Sequence, residues 1–424
     1  MSWHARLRTM ARLYLPAVLA LSVLLRVAVA LYLGDVVDAP ELLTDQRSYH
    51  ALGARLISGH GFSFADNWYP FTRAGEPTSH WSFLYSLLVA GVYAVTGVHP
   101  LAVRLVQAVV GGLLLPWLVF RLAKRLFSGS SREGDGQGTG IALVAAFIAA
   151  ANGYLILYSA TLMTETLFIS TLLWSLERSL AFADRLRDPA RAGSLLRPGL
   201  VLGLGLGTAT LLRQSFLPWV PVLFLYLLWL GRRSGRLRTA VGTLALAGSI
   251  LVAFVLPFTV RNYLVYDDFL LLNSNAGYAM YSAQHPRHGT SFREFEGAPL
   301  PEGIWGRPEP EMDRELMAQG IRFVLNDPGR YLLLCLSRVR AFFEFWPTPD
   351  TSLLHNVGRS LSFGLLLPFL LYGLALSAGR PGFVQRNGLL FLFAAFYTLL
   401  HVMTWAMVRY RLPVDATFLP LAAL

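Results

Sequence analysis

Long apolar segments constrain the fold of this 424-residue chain more than any other feature. A transmembrane helix needs about 20 predominantly apolar residues. Segments of that character lie near residues 13–33, 81–97, 101–120, 141–158, 164–183, 199–214, 216–231, 239–258, 359–377 and 388–408. The chain is 14% charged, whereas soluble domains carry about 25% charged residues. The sequence therefore predicts an all-α polytopic membrane protein, one helical bundle over residues 1–424 with no separate soluble domain.

The positive charge of the chain indicates its orientation in the membrane. The net charge is +11, and the cations, all arginine except Lys124, are grouped in short clusters between the apolar segments. Such clusters are typical of cytoplasmic loops rather than of nucleic-acid binding. The connectors expected in the cytoplasm are "RLAKRLFSGSSR", "DRLRDPARAGSLLR", "GRRSGRLR" and "GRPGFVQR". We therefore expect a multi-pass protein of the plasma or inner membrane with a cytoplasmic N-terminus, and residues 34–80 and 259–330 as external loops.

Not every apolar segment can be a simple span in this topology. The external loop before residue 81 and the basic cluster after residue 120 allow only an odd number of crossings between them. Residues 81–97 and 101–120 therefore cannot both span, and one of them is interfacial or re-entrant. Residues 330–346 carry Arg338 and Arg340 among apolar residues, which favours an amphipathic helix on the outer surface.

The ends of the chain leave alternatives open. The first apolar run is either an uncleaved anchor or a signal peptide cleaved after Ala30, and its length together with Arg26 within it favours the anchor. Residues 414–424 are too few to cross a bilayer core of about 30 Å. The protein therefore either ends partway across the membrane or continues further.

Polar residues of unusual character collect on the predicted outer side. Two carboxylates, Asp45 and Glu165, lie at the outer membrane boundary, where a charge is costly unless it is solvated or partnered. Cations from distant parts of the chain are available to pair with them. The set of external candidates consists of Asp45, Tyr49, His80, Glu165, Arg261, Asn262, Asn275, Arg409, Tyr410 and Arg411. Carboxylates beside fixed cations suggest a base together with a phosphate-binding site.

Other polar features carry weaker signals. Arg26, Arg104 and Arg213 lie within apolar segments, where an arginine either marks a ligand path or pairs internally with backbone carbonyls. "GLGLGT" (203–208) lacks dinucleotide-loop spacing, and its small residues predict close helix packing. The single cysteine, Cys335, excludes an intramolecular disulfide and a cysteine-based metal cluster.

Several sequence blocks together resemble a known family. The first external loop has Asp45 and Tyr49 followed by Gly59 and Gly61. It comes after an apolar run that carries Arg26 in its second half. Further blocks follow in order: "FLYSLLVAGVYAVTGVHPLAVRLVQAVVGGLL", "LMTETLF", "LLRQSFLP", "PFTVRNYLVYDDFLLLNSNAGYAMY" and "VRYRLPVDATFLPLAA". This pattern is similar to that of the GT-C glycosyltransferases, in particular the branch of protein mannosyltransferases and aminoarabinose transferases (glycosyltransferase family 39-like). The chain departs from the family pattern at His80-Trp81-Ser82 and at Gln214, so the resemblance does not extend to the acceptor site or the lipid cavity.

The resemblance implies a GT-C-like bundle with amphipathic helices in the first external loop, and an inverting transfer from a polyprenyl-phosphate sugar at the outer face. It maps the catalytic acids to Asp45 and Glu165. A phosphodiester leaving group needs no general acid, so the residues must supply a base and cations. We assign Asp45 as the base and Glu165 to orient a substrate or raise the basicity of Asp45. The donor phosphate and lipid are assigned to Arg261, Asn262, Arg409, Arg411, Tyr49, Arg104 and Arg26, and possible acceptor or sugar contacts to His80, Asn275 and Tyr410.

Partners, cofactors and rival functions follow from the same residues. Expected partners are the bilayer, the polyprenyl-phosphate sugar and a glycan, lipid or protein acceptor, without nucleic acid. No metal ligand set is assigned, although a divalent cation between Asp45 and Glu165 stays possible. The alternatives are a transporter or flippase for a lipid-linked sugar, which does not need Asp45 as a base, and a non-catalytic scaffold. The sequence does not distinguish a hexose from a pentose as the donor sugar, and it does not identify the acceptor.

Overall fold

The computed structural model describes residues 3–37, 45–127, 132–188, 196–293, 296–349 and 353–424. Residues 38–44 of the predicted first external loop lie outside these ranges, as do residues 128–131 and 189–195 of two predicted cytoplasmic connectors. The described helices are α1 (Trp3–Leu33), α2 (Asp45–Ile57), α3 (Phe83–Thr96), α4 (Pro100–Phe127), α5 (Arg132–Ala151), α6 (Gly153–Ser159), α7 (Glu165–Arg187), α8 (Leu196–Leu212), α9 (Trp219–Arg233), α10 (Leu237–Tyr266), α11 (Ala276–Gln284), α12 (Glu309–Asn326), α13 (Pro328–Phe342), α14 (Leu353–Arg359), α15 (Leu367–Ala378), α16 (Phe383–Met403) and α17 (Val408–Ala422).

Six helical segments of the described chain are long and apolar enough to cross a membrane. They are residues 13–33, 100–127, 214–233, 237–266, 356–378 and 383–403. Helices α5 and α6 form a further candidate, a span broken by a bend of 56°. The predicted all-α membrane fold is therefore confirmed.

The two helices that follow the first external loop, α3 and α4, differ in length. Helix α3 has 14 residues and is therefore about 21 Å long, shorter than the hydrocarbon core of about 30 Å. Helix α4, with 28 residues, is a candidate span. These lengths agree with the prediction that residues 81–97 and 101–120 do not both span.

Two predicted spans differ from the expectation. Helix α8 has only 17 residues, and α7, although it has 23 residues, carries Glu165, Glu177 and Asp184 and is not among the candidate spans. Both helices are largely buried in the core of the bundle. Their apolar residues face other helices, which explains why a count of apolar residues alone predicts spans there.

Small residues allow α8 to pack closely against α10, as the "GLGLGT" segment predicts. A Cβ atom at Gly203 would lie 2.9 Å from the carbonyl oxygen of Ala247, and one at Gly207 would lie 2.7 Å from the Phe254 ring. Only glycine leaves the backbones this close without displacing the partner helix.

A polar cap lies on one end of the bundle. We define the cap as residues 45–80, 268–293 and 296–345, which include α2, α11, α12 and α13. Residues 259–330, which the sequence predicts as an external loop, contain the end of α10 and two helices, α11 and α12, that pack against each other. The small apolar core of the cap consists of Phe71, Tyr278, Tyr281, Ala298, Ile304, Met312 and Leu316.

Helix α13 is part of the cap and not a span of the bundle, in agreement with the amphipathic pattern of residues 330–346. It has 15 residues and is not among the candidate spans of the described chain. Leu332 and Leu336 are exposed, whereas Arg338 is fully buried. The Arg338 guanidinium donates to the carbonyl oxygen of Ala283 and, at 3.4 Å, to that of Val402. This arginine therefore ties the cap to the end of α16.

Candidate active site

Asp45 forms a salt bridge with an arginine from the other end of the chain. Arg409 Nη1 donates to Asp45 Oδ2 at 2.6 Å. Asp45 is the first residue of α2, where the positive end of the helix dipole favours a carboxylate. Its side chain is 24% exposed. Asp45 is therefore fixed in position and still reachable by a substrate.

Glu165 is paired in the same manner but is inaccessible. Arg213 Nη2 donates to Glu165 Oε1 at 2.5 Å, and Arg213 Nε donates to Thr164 Oγ1 at 3.2 Å. Glu165 begins α7 and Arg213 directly follows α8, so each charge lies at the helix end that its sign favours. The Glu165 side chain is only 1% exposed, which limits its contact with bulk solvent.

Arg409 joins the two ion pairs into one cluster. Its Nη1 atom lies 4.0 Å from Glu165 Oε1 as well as 2.6 Å from Asp45 Oδ2. We call Asp45, Arg409, Glu165 and Arg213 the charge cluster. It has two positive and two negative charges and lies where the bundle meets the cap. Because the charges balance, the cluster can be buried without leaving an isolated ion in a region of low dielectric constant.

Aromatic rings support the arginines of the charge cluster. The Tyr410 ring lies under both guanidinium groups, with its centroid 5.1 Å from Cζ of Arg213 and 5.1 Å from Cζ of Arg409. His401 stacks on Tyr410 at 4.6 Å between ring centroids. A cation over an aromatic face is held without neutralising its charge. The arginines consequently keep their charge for an anionic ligand.

Tyr49 also lies beside Asp45, one helical turn further along α2. Its ring packs edge-on against Tyr85 at 4.6 Å and against Trp81 at 5.7 Å between centroids. Burial and the negative charge of Asp45 raise the pKa of Tyr49, so its hydroxyl stays neutral and available as a hydrogen-bond donor.

Several buried polar atoms around the charge cluster have no hydrogen-bond partner among the residues that the structure describes. They include Glu165 Oε2, Arg409 Nε and His401 Nε2. Unpartnered buried polar atoms are rare in folded proteins and need an explanation. Three of them around one charge cluster fit a site whose hydrogen bonds are completed by a ligand.

Within the described ranges, the charge cluster offers a metal ion two carboxylates, Asp45 and Glu165. No group of three His, Cys, Asp or Glu side chains suited to a shared metal ion occurs within the described ranges. The Arg409 guanidinium already lies between the two carboxylates. A divalent cation held by Asp45 and Glu165 would have to displace it.

Four further predicted site residues lie at the junction of the cap with α10. Arg261 Nη1 donates to Ser79 Oγ at 2.7 Å, and Asn262 Nδ2 donates to the carbonyl oxygen of Leu272 at 2.7 Å. His80 follows Ser79 and is half-buried, and the partial removal of its ring from water lowers its pKa. Asn275 donates to the carbonyl oxygen of His80 at 3.2 Å. These contacts are with the cap itself, and none of the hydrogen bonds of Arg261 is with Asp45 or Glu165.

The remaining predicted arginines make mainly internal contacts. Arg411 Nε donates to Asp415 at 3.0 Å, and its Nη1 donates to the carbonyl oxygen of Phe342 at 2.8 Å. Arg26 donates to the carbonyl oxygens of Ala149 and Ala150. Arg104 donates to the carbonyl oxygens that end α1 and, at 3.4 Å, to Gln46 Oε1 beside Asp45. The structure therefore brings Arg409 to the carboxylates, whereas Arg411 and Arg26 make hydrogen bonds elsewhere in the bundle, and their assignment to the donor phosphate and lipid stays a prediction.

Three residues of the region were not among the predicted site residues. Arg213 was noted only as an arginine within an apolar segment, although it is the direct partner of Glu165. His401 lies in an apolar helix with no distinguishing pattern. Glu309 is buried in the cap and accepts hydrogen bonds from the Ser79 amide at 2.7 Å and from Ser274 Oγ at 2.8 Å. Of the three, only Arg213 could have been found from the sequence, because it is a charged residue between two apolar segments.

Comparison with known proteins agrees with this architecture. Residues 80–260 match the family model described as dolichyl-phosphate-mannose-protein mannosyltransferase. Several solved structures have similar folds, two oligosaccharyltransferase structures and one of ArnT among them. The chain has the GT-C membrane glycosyltransferase fold. The predicted resemblance is thereby confirmed.

The structures with this fold differ strongly in sequence. The oligosaccharyltransferase AglB from Archaeoglobus fulgidus, solved with an inhibitory peptide and a dolichol-phosphate, has a TM-score of 0.61 at 16% identity over 97% of this chain and 50% of that chain. The Archaeoglobus fulgidus oligosaccharyltransferase in complex with Zn and sulfate has a TM-score of 0.57 at 14% identity over 96% of this chain and 48% of that chain.

ArnT from Cupriavidus metallidurans, bound to undecaprenyl phosphate, has a TM-score of 0.52 at 13% identity over 97% of this chain and 59% of that chain. This chain thus spans about half the length of the oligosaccharyltransferases that it matches. No curated protein sequence matches it. At these identities the solved structures establish the fold and leave the reaction to be argued from the site.

Proposed function

We propose that this protein is an inverting glycosyltransferase that moves a sugar from a polyprenyl-phosphate donor to a hydroxyl acceptor. The observation that carries this proposal is the charge cluster, in which a reachable carboxylate and a buried one share Arg409. The residues of this cluster come from four distant parts of the chain. Such an arrangement at the edge of a membrane bundle suits a charged headgroup whose lipid tail remains among the helices.

Asp45 is the base in this proposal. The acceptor hydroxyl loses its proton as its oxygen attacks the anomeric carbon, and the bond from that carbon to the phosphate oxygen breaks. Asp45 takes the proton because it is the only carboxylate of the cluster with an appreciable exposed fraction, 24% against 1% for Glu165. A positioned base of this kind contributes typically 100-fold or more to the rate.

Arg409 stabilises the leaving group. The polyprenyl phosphate gains negative charge as its bond to the sugar breaks, and a fixed guanidinium lowers the energy of that charge. Arg409 Nε has no hydrogen-bond partner among the described residues and can donate to a phosphate oxygen while Nη1 holds Asp45. Glu165 and Arg213 act as positioning residues that fix Arg409 from the buried side.

The reaction takes place at the outer face of a plasma or inner membrane. This assignment rests on the basic connectors "GRRSGRLR" and "GRPGFVQR", which mark the opposite end of the bundle as cytoplasmic. The candidate acceptors are a glycan, a lipid and a protein hydroxyl, and the donor sugar is a hexose or a pentose.

The test is turnover of a panel of labelled polyprenyl-phosphate sugars by purified protein in lipid vesicles, with envelope extract as the source of acceptors. We expect one donor to lose its sugar to an acceptor, and nuclear magnetic resonance of the product to show inverted anomeric configuration. A product with retained configuration would contradict the single-displacement chemistry. Movement of the intact donor across the vesicle membrane without sugar transfer would favour a flippase instead.

A further inference from the structure

A continuous array of aromatic rings runs from the charge cluster across the cap. Successive ring centroids are 5.7 Å apart for Tyr49 and Trp81, 5.2 Å for Trp81 and His80, and 5.3 Å for His80 and Phe71. The array continues from Phe71 to Tyr278 at 6.3 Å and from Tyr278 to Tyr69 at 5.5 Å. Its first ring packs beside Asp45, and its last ring is the one that reaches the surface.

Tyr69 presents its ring rather than its hydroxyl to the solvent. The residue is 60% exposed, whereas Tyr49, Phe71 and Tyr278 are buried. Yet its hydroxyl group points inward and makes a short hydrogen bond with the Tyr278 hydroxyl. A surface tyrosine ordinarily keeps its apolar body against the protein and its hydroxyl in water. The reversed arrangement leaves an aromatic face uncovered.

The backbone around Gly297 fixes this arrangement. A Cβ atom at Gly297 would lie 2.5 Å from the Tyr69 hydroxyl and 2.7 Å from the Tyr278 hydroxyl. Glycine is therefore required for both hydroxyls to lie where they do. Arg287 Nη1 donates to the Gly297 carbonyl oxygen at 2.6 Å and holds that segment in place. These contacts hold the Tyr69 hydroxyl in place, and a ring held at its hydroxyl loses less entropy when a ligand stacks on it.

Tyr69 is coupled to the charge cluster through α2. Its neighbour Trp68 donates from Nε1 to Ser48 Oγ at 2.9 Å, three residues after Asp45 on the same helix. Burial of the hydroxyl, the Tyr278 hydroxyl and the negative charge of Asp45 all raise the pKa of Tyr69. The Trp68–Ser48 hydrogen bond therefore joins the segment that carries Tyr69 to the helix that carries the proposed base.

The surroundings of the ring are polar. Asp66, Asn67 and Arg73, in the same segment, are exposed, and exposed donors and acceptors beside an uncovered ring suit a ligand with both hydroxyl groups and an apolar face. A pyranose ring is such a ligand, because its C–H groups carry partial positive charge and the face of an aromatic ring is negative. A lipid tail has no hydroxyl groups to engage these side chains.

We propose that Tyr69 is the stacking platform for a sugar ring of the acceptor, so that the acceptor is a glycan or the glycan part of a glycolipid. This inference rests on the proposed transferase function and adds the acceptor class to it. Tyr69 touches the acceptor away from the reacting atoms and is a specificity-determining residue.

The test compares Tyr69→Ala, Tyr69→Phe and the control Trp305→Ala in full-length protein. Trp305 is also an exposed aromatic residue of the cap, at 47% exposure, but does not belong to the array. The probes are labelled oligosaccharides released from the source envelope and a serine- and threonine-rich peptide without sugar. Saturation-transfer nuclear magnetic resonance measures binding, and initial rates give the acceptor KM and the donor KM.

We expect Tyr69→Ala to raise the oligosaccharide KM about tenfold, the size of one stacking interaction, and to leave the donor KM unchanged. Tyr69→Phe, which keeps the ring, and Trp305→Ala should stay within about threefold of wild type. Equal defects in Tyr69→Phe and Tyr69→Ala would show that the hydroxyl rather than the ring matters and would overturn the proposal. Use of the peptide in preference to the oligosaccharide would overturn it as well.

The binding measurement separates this inference from the proposed function. If wild type transfers sugar but its oligosaccharide binding does not depend on Tyr69, the platform is refuted and the transferase stands. If wild type consumes no donor, the transferase fails, and loss of oligosaccharide binding in Tyr69→Ala alone still identifies the sugar-binding ring.

Discussion

Replacing Glu165 by glutamine tests whether the charge cluster is balanced as a unit. The Glu165 side chain is 1% exposed and lies 2.5 Å from Arg213 and 4.0 Å from Arg409. Removing one partner of a buried ion pair costs about 3–5 kcal/mol, because the other charge remains in a region of low dielectric constant. Glutamine keeps an acceptor oxygen for Arg213, so we expect a loss of about 3 kcal/mol in the free energy of unfolding.

The expected change is measurable as a shift of the thermal midpoint. The unfolding entropy of a 424-residue chain is about 0.9 kcal/mol per kelvin, so a loss of about 3 kcal/mol lowers the midpoint by about 3 °C. Intrinsic fluorescence of the ten tryptophans in detergent follows the transition. Arg213→Gln alone should lower the midpoint similarly, whereas the double variant Glu165→Gln/Arg213→Gln should recover most of the loss because it removes both charges.

The controls separate stability from catalysis. Glu311→Gln removes one charge from the exposed Arg307–Glu311 pair, whose atoms are 3.1 Å apart, and should change the midpoint by less than about 1 °C because exposed pairs contribute little. The double variant should transfer sugar slowly although it is stable, since Arg409 has lost its buried support. If the double variant is less stable than both single variants, the two residues do not balance each other and the reasoning is refuted.

Further predictions concern the leaving group, the metal and the cap. Arg409→Gln should lower kcat/KM at least about tenfold through loss of charge-assisted hydrogen bonds, while Arg314→Gln, which breaks an exposed pair with Asp268, should not change initial rates. Chelation with EDTA should leave the rate of transfer unchanged, because Arg409 lies between the two carboxylates; loss of activity restored by a divalent cation would contradict this. Burial raises the pKa of Asp313 to about 6, so the unfolded state binds fewer protons than the folded state between about pH 4 and 6. The stability of the cap should therefore fall as pH rises through this range. Hydrogen exchange of α11 and α12 measures that stability, and its change with pH should be smaller in Asp313→Asn than in wild type.

The sequence predicts the fold where the apolar length of a segment decides its placement. It identifies α10 as a span and predicts that α3 and α4 do not both span, while the lengths of the two helices in the structure favour α4 as the span. It fails for α7 and α8, because residues buried against other helices are as apolar as residues that face lipid. It also misses the core of the cap, where residues far apart in the chain, such as Phe71 and Met312, come together.

The carboxylates of the site could be predicted from the sequence, whereas the pairing of each carboxylate with its arginine could not. Asp45 and Glu165 stand out because a charge at a membrane boundary needs a partner. Which arginine serves as that partner depends on helix packing: Arg409 and Arg411 are two residues apart, yet one contacts Asp45 and the other Asp415. Side chains two residues apart on a helix point in different directions, and only the structure distinguishes them.

The most direct measurement of the central claim is the transfer rate of Asp45→Asn beside Asp268→Asn in the same lipid vesicles. Asp268 is a matched control, since it too binds an arginine, Arg314, at 2.5 Å in the cap. We predict that Asp45→Asn slows sugar transfer by at least about 100-fold with unchanged donor binding, and that Asp268→Asn transfers at the wild-type rate. Equal rates for Asp45→Asn and wild type would contradict the assignment of Asp45 as the base.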